Sequence, residues 1–298
     1  MPLFSVVIPT YNRAELLGIA LDSVFAQTFT DYEVIVVDDG STDETKEYLA
    51  TLGDRVRVFT QSNQGPGAAR NLGVSHANGE YVEFLDSDDL WFPWSLETYA
   101  SVIRNSDKTA FIAGKPFRFR DEEELNDIKR EGLSSRKFPD YLASGDEWRW
   151  WGASSFVVQR DAFESVGGFA NQWVNGEDAD LALRLGVARG FVQINAPFTF
   201  GYREHAASEM KNLDLTVAGA TYKLCAEQAG KYPGGQARAR ERWRILTRHI
   251  RPVALECLRR GTRSEAWKLY RTTLRWHFQL RRWKFLVGFP LRACLPRR

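Results

Sequence analysis

Apolar and polar positions come in alternating blocks along the first hundred residues. Phe4 to Ile8 is a largely apolar, β-branched run closed by Pro9-Thr10, and Leu16, Leu17, Ala20, Leu21, Val24 and Phe25 follow at helical spacing. Glu33 to Val37 is a second such run, closed by Asp38-Asp39-Gly40, and Ser41-Thr42-Asp43 supplies caps for a helix beyond it. Val56 to Phe59 predicts a third strand, Pro66 to Ser75 a helix and Tyr81 to Leu85 a fourth strand. Strands that alternate with helices predict an α/β protein built on a mostly parallel, Rossmann-like sheet flanked by helices. Ligands of such sheets bind beyond the carboxyl ends of the strands, and Asp38, Asp39 and Asp86 all lie at such ends.

The pattern changes after about Ala110. Phe111 to Gly114, Phe117 to Phe119, Ser154 to Val158, Val192 to Ile194 and Thr199 to Tyr202 predict short strands, and Asp178 to Ala188 an amphipathic helix. Asp121 to Gly132 is charged and reads as an exposed helix or an insertion. The break Lys231-Tyr232-Pro233-Gly234-Gly235 divides a body, residues 1–230, from a helical tail, residues 231–298. Within the body, residues 1–110 carry the strand ends that point to a ligand, and residues 111–230 form a second half.

Charge sharpens this division. The formal net charge of +2 conceals 19 Lys/Arg against 3 Asp/Glu from Lys231 onward, which leaves 21 basic and 35 acidic residues in the first 230. A basic tail on an acidic body points to an anionic surface as partner. In the tail, Trp243, Leu246 and Ile250 share one helical face, and Ser264 is placed to cap a second helix bearing Trp267, Tyr270 and Leu274. Basic helices with tryptophan suit a membrane interface, so the expected partner is an anionic membrane surface; the bland reading packs them on the body. No nucleic-acid motif accompanies the charge, and nucleic acid is not an expected partner. Three scattered cysteines, no basic and apolar leader, and no run long enough to span a bilayer predict a cytoplasmic protein, peripheral on the inner face of the membrane.

The chemistry is concentrated in Phe84-Leu85-Asp86-Ser87-Asp88-Asp89. Three carboxylates within four positions repel one another unless a cation sits among them. Hard oxygen donors suit Mg²⁺ or Mn²⁺, commonly shared with a ligand's phosphates; the alternative is a polar turn.

Taken in order, Ser5-Val6-Val7-Ile8-Pro9-Thr10-Tyr11-Asn12-Arg13, Val36-Val37-Asp38-Asp39-Gly40-Ser41-Thr42-Asp43, Asn63-Gln64-Gly65-Pro66-Gly67-Ala68-Ala69-Arg70-Asn71, Leu85-Asp86-Ser87-Asp88-Asp89, Gly167-Gly168-Phe169 and Gly176-Glu177-Asp178-Ala179-Asp180-Leu181 resemble the family 2 glycosyltransferases of the GT-A fold. The resemblance covers about residues 3 to 205. It implies transfer of a sugar from a nucleotide diphosphate donor, UDP-linked, to a glycan or lipid-linked acceptor, with inversion and with Mn²⁺ or Mg²⁺ as cofactor. It implies nucleotide contacts from Pro9, Thr10, Tyr11, Arg13, Asp38, Asp39, Arg70, Asp86 and Ser87. It places the metal on Asp86 and Asp88, with His205 nearby, and leaves Asp89 either a ligand or a helix cap. Asp178 is the implied base, with Glu177 as its substitute. Trp150, Trp151 and Ser154 are candidates for the acceptor surface, although buried tryptophans would pack a core equally well.

The reaction expected is therefore extension of a surface polysaccharide or glycolipid. A catalytically inactive nucleotide-sugar or glycan-binding protein is the alternative; retention of Asp86, Asp88 and Asp178 speaks against it. A nucleotidyltransferase would need a basic, glycine-rich phosphate loop that Pro9-Thr10-Tyr11-Asn12 does not provide.

Overall fold

A computed structural model describes residues 1–106, 109–145, 147, 152–172, 174–205 and 212–295. The chain forms two compact units. One comprises Met1–Tyr141, Arg149–Trp173 and Ala188–Ala206; the other comprises Leu142–Trp148, Val174–Val187 and Ala207–Arg298.

The first unit opens with β1 (Phe4–Thr10), α1 (Ala14–Phe25), β2 (Tyr32–Asp38), α2 (Thr45–Ala50), β3 (Arg57–Thr60), α3 (Pro66–Ser75) and β4 (Tyr81–Phe84). It continues with β5 (Leu90–Trp91), α4 (Ser95–Arg104), β6 (Phe111–Ala113), β7 (Pro116–Phe119) and β8 (Ser134–Phe138), and α5 (Tyr141–Ser144) leads out of it. β9 (Phe156–Gln159) and α6 (Arg160–Ser165) return to it. Helix α7 (Glu177–Arg184) belongs to the second unit, β10 (Phe191–Ala196) and β11 (Phe200–Arg203) to the first.

Eight strands form one sheet in the order β3-β2-β1-β4-β9-β6-β10-β8. β1 runs parallel to β2 and β4, β2 to β3 and β6 to β10; β9 and β8 join antiparallel. Every residue of β1 is buried, as expected of a central parallel strand covered on both faces, and this explains its largely apolar run. Chain order moves outward from β1 to β3, then resumes at β4 on the other side of β1. The carboxyl ends of β1 and β4 therefore flank a topological switch point. Helix α3 lies close on this sheet: a Cβ at Gly73 would stand 2.4 Å from Cγ1 of Val7, so no larger residue fits without moving the helix.

A second sheet, β5-β11-β7, was not expected as a separate layer. Strand β8 was also unforeseen. Its sequence, Ser-Ser-Arg-Lys-Phe, is polar because it is an edge strand held by backbone pairing to β10. The charged stretch after Asp121 contains one turn of 3₁₀ helix, Glu122–Leu125, closed by reciprocal bonds between Asp121 and Glu124, and no longer helix.

The second unit holds α7, α8 (Leu213–Gln228), α9 (Ala239–Arg260), α10 (Arg263–Gln279) and α11 (Trp283–Cys294). Thr262 stands at the N-cap of α10, and Ser264 lies inside the helix, not at its cap. One buried ion pair organises the unit. Arg242 in α9 donates from Nε and Nη2 to both oxygens of Glu227 in α8, at 2.7 and 3.2 Å, and from Nη1 to the carbonyls of Pro233 and Gly235. Glu227 also accepts from Nε1 of Trp243, whose ring stacks on Trp276. The carboxylate and guanidinium are thus nearly saturated with partners, the condition under which a buried pair is tolerated.

Candidate active site

The site grows from the carboxyl ends of β1, β2 and β4. The ligand oxygens of Asp86, Asp88 and Asp89 lie within 4.8 Å of one another. Each is held differently. The backbone N–H of Asp86 donates to Oγ of Ser154, and its carboxylate accepts from Nη2 of Arg70 at 2.5 Å. Arg70 is only 3% exposed, and its guanidinium lies over the ring of Phe169. Asp88 accepts from Nη1 of Arg13 at 2.6 Å and lies 2.9 Å from Nε2 of His205. Asp89 is buried, and accepts from the Ser154 hydroxyl at 2.7 Å and from the backbone N–H of Arg203 at 3.1 Å. Burial first, and then the charges of Asp88 and Asp86, push the Asp89 carboxyl well above the usual range, against the bonds from Ser154 and Arg203.

The donor set fits a divalent cation. Three carboxylates converge on one point, with an imidazole beside them, and the like-charge strain on Asp89 is what a bound cation would relieve. Asp86, Asp88 and His205 are the residues that would hold it.

The side of the site toward β1 and β2 is built on hydrogen bonds between loops. Asn12, at φ 50°, donates from its backbone to Oγ of Ser41 and accepts from the backbone of Thr42. Asp39 accepts from the Gln61 side chain and from the backbone N–H groups of Gln64 and Gly65, which secures the loop before α3. Three accepted bonds leave its carboxylate capacity for one more. Asp38 accepts from the backbone of Ser41. Its Oδ2, and Oγ1 of Thr10, are buried with no partner among the described residues. Orphaned polar atoms at adjacent strand ends are acceptors and donors that a bound group could satisfy. Pro9 closes β1, Tyr11 is exposed beyond it, and Ser87 is buried in the turn between Asp86 and Asp88.

Some residues take other places than expected. Ser154 is buried beneath the aspartates, and its hydroxyl is used on Asp89 and Asp86; it braces the acidic turn and does not line an acceptor surface. Arg203 supports the turn too: its Nε donates to the carbonyl of Asp88 and its Nη2 to Glu122. Trp150 and Trp151 lie outside the described residues. Asn71, missed in the sequence, donates to the carbonyl of Phe169 and accepts from its N–H, which fixes the Gly167-Gly168-Phe169 segment beside Arg70.

Asp178 and Glu177 begin α7 in the second unit. Gly176 precedes them at φ 82°, a left-handed position suited to glycine. Asp178 is buried, and one carboxylate oxygen accepts the N–H of Ala179. Lys223 of α8, also buried and also missed, donates to the carbonyl of Gly176 at 2.9 Å. Burial lowers the lysine's pKa, and the charges of Asp178, Asp180 and Glu177 oppose that shift.

Residues 5–166 match the model of glycosyl transferase family 2. The chain belongs to this family. An uncharacterized glycosyltransferase of Nostoc sp. is 34% identical over 168 residues, 54% of this chain and 52% of its own length. The GalNAc(5)-diNAcBac-PP-undecaprenol beta-1,3-glucosyltransferase of Campylobacter jejuni is 35% identical over 190 residues, 59% of this chain and 60% of its own. The family 2 chain described here thus spans little more than half the length of these two relatives. Among solved structures, residues 1–349 of TarS from S. aureus in complex with UDP superpose with a TM-score of 0.62 at 21% identity, covering 83% of this chain and 71% of that one. The mannosyltransferase PcManGT of Pyrobaculum calidifontis, in complex with GDP-Man and Mn²⁺, gives 0.51 at 18% identity, covering 98% and 86%. At these identities the likeness is one of fold, and it establishes the GT-A architecture.

Proposed function

We propose that this family 2 member is an inverting, metal-dependent glycosyltransferase that moves a sugar from a UDP-linked donor to a glycan or lipid-linked acceptor, in surface polysaccharide or glycolipid synthesis. The observation that carries this reading is the convergence of Asp86, Asp88 and Asp89 at the switch point, faced by Arg13, Arg70 and His205. The orphaned atoms of Thr10 and Asp38 beside it support a nucleotide there. UDP in the TarS structure and the undecaprenol-linked acceptor in the Campylobacter enzyme's name support the donor and acceptor classes.

Roles follow from the chemistry of each group. Asp39 accepts from the uracil N3–H while it holds the loop after β3, and Pro9, Thr10 and Tyr11 lie along the nucleoside. Arg13 and Arg70 exchange carboxylate partners for donor phosphate oxygens, a match suited to planar guanidinium groups. A divalent cation, Mn²⁺ or Mg²⁺, held by Asp86, Asp88 and His205 would supply charge neutralisation for the departing nucleoside diphosphate. Asp178 takes the proton from the acceptor hydroxyl. That oxygen bonds to the anomeric carbon from the face opposite the diphosphate, the bond to the diphosphate breaks with its electron pair, and the configuration inverts. No helix among the described residues is long and apolar enough to cross a membrane. Residues 231–298 hold the protein peripherally at the anionic inner face of the cytoplasmic membrane.

A thermal-shift panel of UDP, GDP, CDP and their sugars, with and without Mn²⁺, tests the donor. Stabilisation by a uridine nucleotide that needs Mn²⁺ is expected; no Mn²⁺-dependent shift with any nucleotide would overturn the metal reading. NMR of the product should show a β linkage from an α donor, and a retained configuration would overturn inversion.

A further inference from the structure

Helix α11 has two apolar faces, and one of them lies in solvent. Phe285, Phe289 and Ala293 are buried, with Phe289 stacked 4.4 Å from Tyr270 and edge-on to Trp267. On the other side Trp283, Val287 and Leu291 recur at intervals of four and form a single stripe, with Leu295 exposed just past the helix end. Leu274 and Phe278 of α10 extend it, and the rings of Phe278 and Trp283 meet edge to face at 5.3 Å. Exposure along the stripe runs from 42% at Leu274 to 63% at Leu291. Contiguous exposed apolar groups of this kind mark an interaction surface.

We propose that this outer stripe of α10 and α11 is the face that seats on an anionic lipid bilayer. The proposal rests on the peripheral-membrane reading above and names its contact. It also corrects the faces suggested by sequence. Leu246, Ile250 and Tyr270 are turned inward, and Trp243 is engaged with Trp276 and Glu227, so none of these is offered to a membrane.

Charge selects the occupant. From Arg263 to Leu295 there are 8 Lys/Arg and one acidic residue, Glu265. Arg271, Arg275, Arg281, Lys284 and Arg292 are exposed beside the stripe. A second copy of this chain would bring the same positive charge to the contact. An anionic bilayer satisfies both features: acyl chains accept Val287, Leu291 and Leu295, tryptophan favours the headgroup level, and lipid phosphates accept the basic rim.

Co-sedimentation of the full chain with phosphatidylcholine vesicles, with and without phosphatidylglycerol, tests this. The double variant Val287→Glu, Leu291→Glu alters two exposed positions that carry no catalytic assignment. A second variant, Lys284→Glu, Arg292→Glu, reverses the rim and leaves the stripe. Wild type should pellet with the anionic vesicles, and each variant should lose at least about tenfold in vesicle affinity, with the thermal midpoint and transfer to a soluble acceptor unchanged. If wild type pellets and both variants pellet equally well, this face is not the contact, although the peripheral reading stands. If wild type stays in the supernatant, the peripheral reading falls and the proposal with it. A dimer on light scattering that the stripe variant dissociates, without loss of vesicle binding, would assign the face to a second copy and overturn the proposal.

Discussion

Replacing Asp88 by Asn should damage donor binding far more than it damages the fold. Asp88 is 16% exposed at its side chain and pairs with Arg13 at 2.6 Å and His205 at 2.9 Å. Two unit charges 4 Å apart near a protein surface attract by about 4 kcal/mol before solvation and entropy are counted, and partly exposed pairs retain about 1 kcal/mol or less. The same substitution removes a charge that repels Asp86 and Asp89, whose oxygens lie within 4.8 Å. These terms oppose each other, so stability without metal should change by no more than about 1 kcal/mol, a shift of about 2–4 °C in Tm for a chain of this size. Losing a direct metal ligand should weaken Mn²⁺-dependent UDP binding by at least about 100-fold, or about 2.8 kcal/mol. Calorimetric titration of UDP in Mn²⁺ and in EDTA, beside thermal scans in EDTA, measures both quantities. The reasoning fails if UDP affinity in Mn²⁺ is unchanged, or if the metal-free protein melts about 10 °C lower, since the loss would then be structural.

Asp178→Asn should leave UDP affinity within about twofold and lower kcat by at least about 100-fold; near-normal turnover would reassign the base. His277 is fully buried, neither ring nitrogen has a partner among the described residues, and burial, aided by Arg282 and Arg251, pushes it down to about 3. The unfolded chain takes up that proton near pH 6.5, so between 6.5 and 3 the unfolded state holds more protons and stability falls with pH. His277→Phe should remove about 2 kcal/mol of the stability lost between pH 7 and pH 5 in urea melts, and an unchanged pH dependence would contradict this. Glu83 lies in β4 with both oxygens buried and without partners among the described residues, and burial raises its pKa well above the ordinary value. Its folded-state pKa lies above the 4.5 at which the unfolded chain ionises, so it costs stability increasingly as pH rises from that point. Glu83→Gln should therefore stabilise the protein more at pH 8 than at pH 5, and a gain that is flat or falls with pH would refute the assignment.

The first half of the body was legible because burial on both faces writes parallel strands as largely apolar runs, and acidic residues punctuate their carboxyl ends. β1, β2 and β4 and the acidic turn at Asp86 could be read directly for this reason. Strand β8 could not, since an edge strand needs only its backbone. Helix α8 shows almost no segregation of apolar residues, and its close contact, Gly219 against the carbonyl of Asn175, depends on lacking a side chain. The braces of the site were hidden for a different reason. Ser154 acts on Asp86 across 68 positions, Asn71 on Phe169 across 98 and Lys223 on Gly176 across 47, and no local pattern encodes such pairings.

The unit that carries Asp178 is assembled from pieces emitted far apart during synthesis. Its segment Val174–Val187 leaves the ribosome before Lys223 exists to grip Gly176, before Tyr232 can bond Asp180, and before Arg242 can neutralise Glu227. A nascent chain halted after the first ten strands would hold the acidic turn at Asp86 while the segment that carries Asp178 still lacked its partners. Assembly of this unit would then wait until the last helices are made, and trimming at Gly230 would recreate that unfinished state by removing Tyr232 from Asp180 and both Arg242 and Trp243 from Glu227.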